Sequence, residues 1–515
     1  MKRVLTSIVC GLVLNVIAVI NASGAQWLTT EQYGNGSNGA YAPSTGTDAP
    51  INFAMTGTAG NAYWTTCGGT TGMVAGQLVL IHQTQGTGAG NWELNKLLNP
   101  AVGSLVYTLI NSYGTGAQIL VMPQYSSGNI AGGVTLTAKA WNGTVGGIVG
   151  WFCNGTTTVT GSIVNSARGY RGGAGISSGN TSGRRGEGTT GNDQAATAAA
   201  QGNGAGAAGV PKSNGYSSGG SSGGHAAAGA QGAGDDPKGA AGGAGGAVAL
   251  TTAIFGGGGS SGSSNNGADA GGTGGAGGGG VFIFSKTITI TGSIANNGAT
   301  GGNSAASTGG AGGGAGGFVL LKCQTATLGT GLITATGGAG GTAVANAYDY
   351  RRGGAGSVGR IHADYGTSCT VTTSPTLDKT QNSIYIPNAP PTDPSSPTPS
   401  NGAYTQNNAP LCSWSASTDA DSDPITYYYA LSSNPNLSDP IVNDISTWSS
   451  TQYQNSALSD RTYYWRVRAY DGKDYNQNSA TWSFTVDTQA PSVPVITRIT
   501  SDPQTGKIVE FKGTG

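Results

Sequence analysis

Charge is scarce in this sequence. Charged residues make up 9% of 515, 23 acidic side chains balance 23 basic ones, and there are three histidines. Zero net charge argues against a nucleic-acid surface and against a polybasic membrane patch, both of which need clustered Lys and Arg. It also argues against ordinary disorder, which is charge-rich. Cysteine is sparse as well. Cys10, Cys67, Cys153, Cys323, Cys369 and Cys412 are too far apart for CxxC metal or redox spacing. In an oxidising compartment Cys67–Cys153 and Cys323–Cys369 are candidate bridges. Buried free thiols packing as small hydrophobes are the alternative, and Cys412, just before Ser413-Trp414, reads as a buried strand residue.

Long apolar runs are missing except between Ile8 and Ile20. Lys2 and Arg3 precede that run and Ala22-Ser23-Gly24-Ala25 follows it, the pattern of a signal peptide over residues 1–25. The run is short for a membrane anchor, and Asn15 interrupts it. Cys10 lacks the small residues of a lipoprotein signal before it. The expectation is a secreted or cell-surface chain with no membrane insertion.

What is abundant is glycine, 94 residues, against an ordinary share of about 7%. Residues 26–145 read as a β-rich domain, with strands at Gln77 to Gln83, Ala117 to Met122 and Val134 to Ala138, and one short helix over Asn91 to Leu98. Residues 146–386 form a glycine-rich region with an internal repeat. GGIVGWFCNGTTTVTGSIVNSARGYRGG from Gly146, GGVFIFSKTITITGSIANNGATGG from Gly279 and GGFVLLKCQTATLGTGLITATGGAGG from Gly316 share one order. A Gly pair leads an apolar strand, then a polar step, then a second strand through Gly and Ile163, Ile294 or Ile333. GSVGRIHADYG from Gly356 is a shorter fourth copy. Such repeats stack as a β-solenoid or pair as β-sandwich repeats, in either case burying an apolar strip that no single copy can bury.

Two readings of the glycine tracts compete. One is flexible loops. The other is polyglycine-helix-like insertions, three residues per turn, whose backbone groups find partners on neighbouring helices because glycine permits close approach. Packed helices are the favoured reading for 230–280 and 300–317, whereas 180–225, richer in Ser, Asn, Gln and Arg, reads as loop.

These tracts resemble the polyglycine-helix bundles of some phage tail-tip adhesins. They also resemble the glycine-rich extracellular domain of the anaplastic lymphoma and leukocyte receptor kinases. The order of elements, a β-rich head containing LVLIHQTQG and PQYSSG followed by GG-strand repeats, is similar to large secreted glycine-rich proteins of environmental bacteria, which implies location more than chemistry.

A Pro-rich linker spans 387–400, beginning PNAPPTDP. Residues 401–488 contain LCSWS, TYYWRVRAYD and WSFTV and resemble a fibronectin type III-like domain, a sandwich that implies spacing or surface attachment. Residues 489–515, from the APSVP segment, read as the start of a truncated further module too short to fold alone.

Catalytic motifs are poorly supported. His82, His225 and His362 lack HExxH company. Gly215 to Gly219 fits GxSxG but lies in Ser/Gly-rich sequence without the strand and helix that a nucleophile elbow needs. Glu187, Asp193, Asp235, Asp236, Asp269, Asp349 and Asp364 are the few acids available for glycan cleavage. Asp419, Asp421 and Asp423, with Asp471, form a candidate calcium site, weighed against a solvated Asx-rich turn. Tyr170, Arg171, Tyr348, Tyr350 and Arg351, like Tyr216, are candidate surface contacts, because aromatic faces with Arg stack on sugars or anchor interfaces; gap-filling between glycine helices is the alternative.

The sequence as a whole reads as an all-β, non-catalytic adhesive or structural protein. The expected partner is a cell-surface glycan, a matrix component or another surface protein, and no cofactor is needed apart from the calcium considered above. The alternatives are a carbohydrate-binding protein and a β-solenoid polysaccharide lyase or glycoside hydrolase.

Overall fold

The computed structural model describes residues 32–48, 50–176, 182–191, 205–209, 219–234, 238–264, 270–304, 308–343, 351–382, 385, 388–478, 480–490, 495–501 and 508–514. The chain divides into two compact units, Met1–Ile386 and Pro387–Gly515. Both are all-β, with no α-helix among the described residues.

The first unit is organised by a parallel sheet. Ile148–Val159, Gly280–Ile290, Phe318–Thr334 and Arg360–Ser374 are four long strands, each paired in parallel with the next. The repeats align in register: Val149 with Val281, Val281 with Val319, Val319 with Ile361. The second strands stack likewise, Ile163 on Ile294 and Ile294 on Ile333. The fourth copy therefore takes part as well. Short strands from before residue 145 join the same sheet: Ser127–Ile130 pairs with Ile148–Val159, and Thr135–Ala138 with Ser162–Val164.

Apolar runs such as VFIF follow from burial on both faces, as expected of a parallel sheet. One face sends Val149, Trp151, Val281, Ile283, Val319 and Leu321 against the Ile163, Ile294 and Ile333 ladder. The other sends Phe152, Phe282, Phe284, Phe318 and Leu320 against Leu80, Trp92, Leu94 and Leu120. Those last residues belong to a six-stranded antiparallel sheet in which Leu78–Gln83 lies between Tyr113–Met122 and Trp92–Asn99.

Here the structure corrects the expected helix at Asn91 to Leu98. The segment is strand, its Trp92 and Leu94 in the shared core. Pairing with Leu78–Gln83 and that burial override the helix preference of Leu, Glu and Lys. The candidate disulfides are absent too. Cys67 is a half-buried free thiol in the antiparallel sheet, and Cys153, Cys323 and Cys369 are buried free thiols in the parallel one. Cys323 lies opposite Tyr365 and Cys369 opposite Ala326, so the register keeps those two apart.

Parallel strands need long crossovers, usually helices. In this chain the crossovers are glycine threads. From the ends of the second strands, segments 296–304 and 335–343 run outward; 308–317, 351–359 and 270–279 return to start the next long strands. Thread 308–317 shows the bonding. Every third N–H reaches one neighbour: Gly309, Gly312 and Ala315 donate to Ser263, Ser260 and Gly257. Gly310, Gly313 and Gly316 donate to Arg351, Gly354 and Ser357, and Ala311, Gly314 and Gly317 to Gly302, Ala299 and Asn296. Its carbonyls accept from three further threads, at Gly220 and Gly223, Gly275 and Gly278, and Gly338 and Gly341. Thread 253–264 repeats the pattern, with Gly256, Gly259 and Gly262 donating to Gly278, Gly275 and Gly272. No backbone group of such a thread can bond within its own turn, so the bundle supplies the partners.

The expectation of loop over 180–225 is corrected for its described parts. Residues 182–187, 205–209 and 219–225 are bundled threads, with Gly258 and Ser261 donating to Glu187 and Arg184, and Gly206 donating to Gly258. Ser, Arg and Glu are tolerated because their backbones still alternate with glycine where threads touch.

The second unit contains a three-stranded sheet, Ser395–Thr398, Leu411–Ser415 and Gln452–Gln454, and a five-stranded sheet centred on Arg461–Tyr470. Alternate residues Tyr463, Trp465, Val467 and Ala469 meet Cys412, Trp414, Tyr429, Trp482 and Phe484 in one core. Val495–Ser501 and Ile508–Thr514 pair as a two-stranded antiparallel sheet.

Candidate functional site

The thread ends farthest from the strands converge. Gly271 donates to Ile176, Gly262 to Gly272, Gly309 to Ser263, Ser304 to Thr342, Gly310 to Arg351, and Gly219 and Ala233 to Ala233 and Arg352. At about 3.1 Å per residue, threads of nine or ten residues carry these ends about 30 Å from the strands. Arg184 and Arg352 are exposed there, and Arg185 and Arg351 are half-buried.

The sequence-derived contact residues separate on inspection. Tyr348 and Tyr350 lie outside the described residues, as does Tyr216. Tyr170 is not a surface residue. It is fully buried, its hydroxyl donates to the Thr84 carbonyl and its ring lies 5.6 Å from that of Phe255. It fills the space where the thread crosses the antiparallel sheet. Arg171 is partly exposed but committed: its guanidinium pairs with buried Glu187, whose other oxygen accepts the Arg171 N–H at 2.9 Å. The hydrogen bond it donates to Glu187 pushes the Arg171 guanidinium above its ordinary value.

In the second unit, carboxylate oxygens of Asp419, Asp421 and Asp423 lie within 4.8 Å of one another. Asp419 Oδ1 accepts from the Asp421 and Asp423 N–H groups at 2.8 and 3.0 Å, which makes the loop an Asx turn. Asp421 Oδ2 accepts from Ala389 N–H, and Asp423 Oδ2 pairs with Lys473 Nζ, both distances short at 2.7 and 2.8 Å. Asp471 stands outside the group. Its Oδ1 accepts from Lys473 and Asp474 N–H, and its Oδ2 from Asn388. Calcium takes 6–8 oxygens, and the Lys473 ammonium already neutralises one carboxylate. Millimolar calcium against chelator should therefore move the melting of the second unit by no more than about 2 °C. A rise of several degrees with calcium would establish the ion site.

One cluster was illegible in sequence. Lys322 pairs across the sheet with Asp364, and His362 with Asp378. Lys322 Nζ lies 3.0 Å from Asp364 Oδ2, while His362 faces Asp364 Oδ1 at 3.1 Å and Asp378 Oδ2 at 2.7 Å. The Lys322 ammonium also sits 5.7 Å from the Trp92 ring. Burial alone would raise the Asp364 carboxyl; the His362 hydrogen bond and the Lys322 charge outweigh it and hold the group below its ordinary value. Lys322, paired with Asp364 and lying against the Trp92 ring, ties the last strands of the stack to the antiparallel sheet.

No helix among the described residues is long and apolar enough to cross a membrane. Comparison with protein-family models, with curated proteins and with solved structures returned no match.

Proposed function

We propose that the chain is a non-catalytic adhesive or structural protein of the cell surface or extracellular matrix, with the far ends of its glycine threads as the contact surface. In this reading the first unit is a β-solenoid stack whose crossovers form a bundle of polyglycine helices. The second is a fibronectin type III-like spacer. The observation that carries the reading is the convergence of thread ends from segments distant in sequence. A bundle held by backbone hydrogen bonds in three directions is a rigid support, and it leaves the connections between threads free to vary. Those connections contain Tyr216, Tyr348, Tyr350 and most of the Asn of the region, residue types suited to a glycan or to a protein interface.

The test replaces residues 344–350 or 210–218 by Gly/Ser sequence of equal length in the full chain. Retention of coated beads on cells, matrix and glycan arrays is then measured. Retention should fall at least about tenfold, or 1.4 kcal/mol, with melting unchanged. Equal retention by both variants would remove the thread ends as the contact surface.

A further inference from the structure

Away from the threads, the first unit has a cavity of about 630 Å³. It is lined by the turn Asn35 to Asn38, by Pro50 and Ile51, by Val74 to Gln77, and by Val121 to Gln124. Its volume lies within the range of about 300–1,000 Å³ typical of small-molecule sites. No charged residue lines it. Its polar character comes from four side-chain amides and Ser37.

The orientation of those amides is fixed. A backbone N–H can only donate, so the amide atom it meets is oxygen. Asn35 N–H donates to Gln124 Oε1 at 3.0 Å, Gln124 N–H to Asn38 Oδ1 at 2.8 Å, Val74 N–H to Gln77 Oε1 at 2.8 Å and Ser37 N–H to Asn35 Oδ1 at 2.9 Å. All four carbonyl ends are thus engaged, and the four NH2 groups make no hydrogen bond to the protein among the described residues. Gln124 is itself only 4% exposed. It lines the cavity together with Asn35, Asn38 and Gln77. The turn that brings Asn35 over Gln124 depends on Gly34, whose φ is +73° and where a Cβ would stand 2.8 Å from that of Phe152.

The result is a neutral cavity with an excess of donors and an aliphatic wall from Pro50, Ile51, Val74 and Pro123. The geometry points to a binding site for a neutral saccharide. A sugar hydroxyl carries two lone pairs for each O–H, and ring, glycosidic and acetamido oxygens only accept, so a sugar has the acceptor excess that four NH2 groups require. Its apolar ring face suits the aliphatic wall. A peptide backbone has no counterpart of the ring and glycosidic oxygens, since each of its carbonyls comes with an N–H that needs an acceptor of its own. A carboxylate would enter with no cation to offset its desolvation.

This site is independent of the thread-end reading and is tested separately. Asn38→Asp and Gln77→Glu each keep the oxygen that accepts from the backbone and replace only the NH2 donor. The full chain is titrated with neutral hexose and N-acetylhexosamine oligosaccharides, with glucuronate and with a neutral tetrapeptide, read by saturation-transfer NMR and calorimetry. A neutral saccharide should bind, and the double variant should lose at least about tenfold in affinity while melting within about 2 °C of the parent. The proposal is overturned if no neutral saccharide binds, if glucuronate or the peptide binds more tightly, or if the double variant binds equally well. Variants of the thread connections leave these residues intact, so failure here and failure of the adhesive reading are distinguishable.

Discussion

Val in place of Gly313 should destabilise the first unit by several kcal/mol, in the range of severe packing defects. Gly313 belongs to the thread 308–317, bonded on all sides. A Cβ there would meet the Gly338 carbonyl oxygen, and one at Gly312 or Gly316 the carbonyl oxygens of Ser221 or Ala335, at separations real Cβ atoms essentially never show. The obstacle is backbone on the neighbouring thread, which cannot rotate away as a side chain can. Shifting the substituted thread instead would break its own N–H bonds, from Gly313 to Gly354, Gly312 to Ser260 and Gly316 to Ser357. The melting temperature of Gly312→Val, Gly313→Val and Gly316→Val should fall by about 5–10 °C, or no folded protein should be recovered. Gly132→Ala is the control: nothing lies within 4 Å of a Cβ there, and its melting should match the parent. If all three thread variants melted with the control, the segment would be a linker and the support for the contact surface would be lost.

Acid should destabilise the same unit before most carboxylates titrate. His82 and His225 are fully buried, and burial pushes each imidazole from its ordinary 6.5 down to about 4. His82 Nε2 faces the Ala253 carbonyl at 2.7 Å and Nδ1 the Thr84 hydroxyl at 2.9 Å; His225 Nδ1 faces the Gly316 carbonyl at 2.7 Å. These contacts hold neutral rings, with one nitrogen donating to a carbonyl. The unfolded chain therefore binds more protons than the folded one between pH 6.5 and about 4. Stability is full above the upper limit and falls as pH drops through the window, by up to about 3 kcal/mol for each ring. Glu93, pushed up by burial against the donors Ile110, Asn111 and Tyr113, acts in the opposite sense and reduces the slope. Melting followed from pH 7.5 to 4 should decline, and His82→Gln with His225→Gln should flatten the decline relative to its own neutral-pH value. Equal pH dependence of the parent and the double variant would show that neither ring is held neutral.

Much of the architecture was legible in the residues. The order of Gly pair, apolar strand and Gly-x-Ile identified the strands that stack, down to Ile163, Ile294 and Ile333 lying in register. The alternation around Trp465 marked the core of the second unit. Other features were not legible, each for a physical reason. Asn91 to Leu98 has local helix preference, and only its neighbours make it a strand. Tyr170 between glycines looks exposed until the antiparallel sheet lies beneath it. Lys322, His362, Asp364 and Asp378 come together through parallel register, in which side chains far apart in sequence become neighbours on one face.

By itself the sequence marked the repeated strands and set the glycine tracts apart from them, while leaving loop and packed helix as competing readings of those tracts. Only the tertiary structure decided which thread lies beside which. One Gly/Ala tract is chemically almost the same as another, so nothing local distinguishes the partner of Gly313 from that of Gly312. The strands at the ends of the threads make the choice. Their apolar side chains lock register through burial, and the threads they anchor then fall into bonding distance every third residue. The same holds for the amide cavity, where four ordinary Asn and Gln residues become a set of free donors only after the backbone has engaged their oxygens.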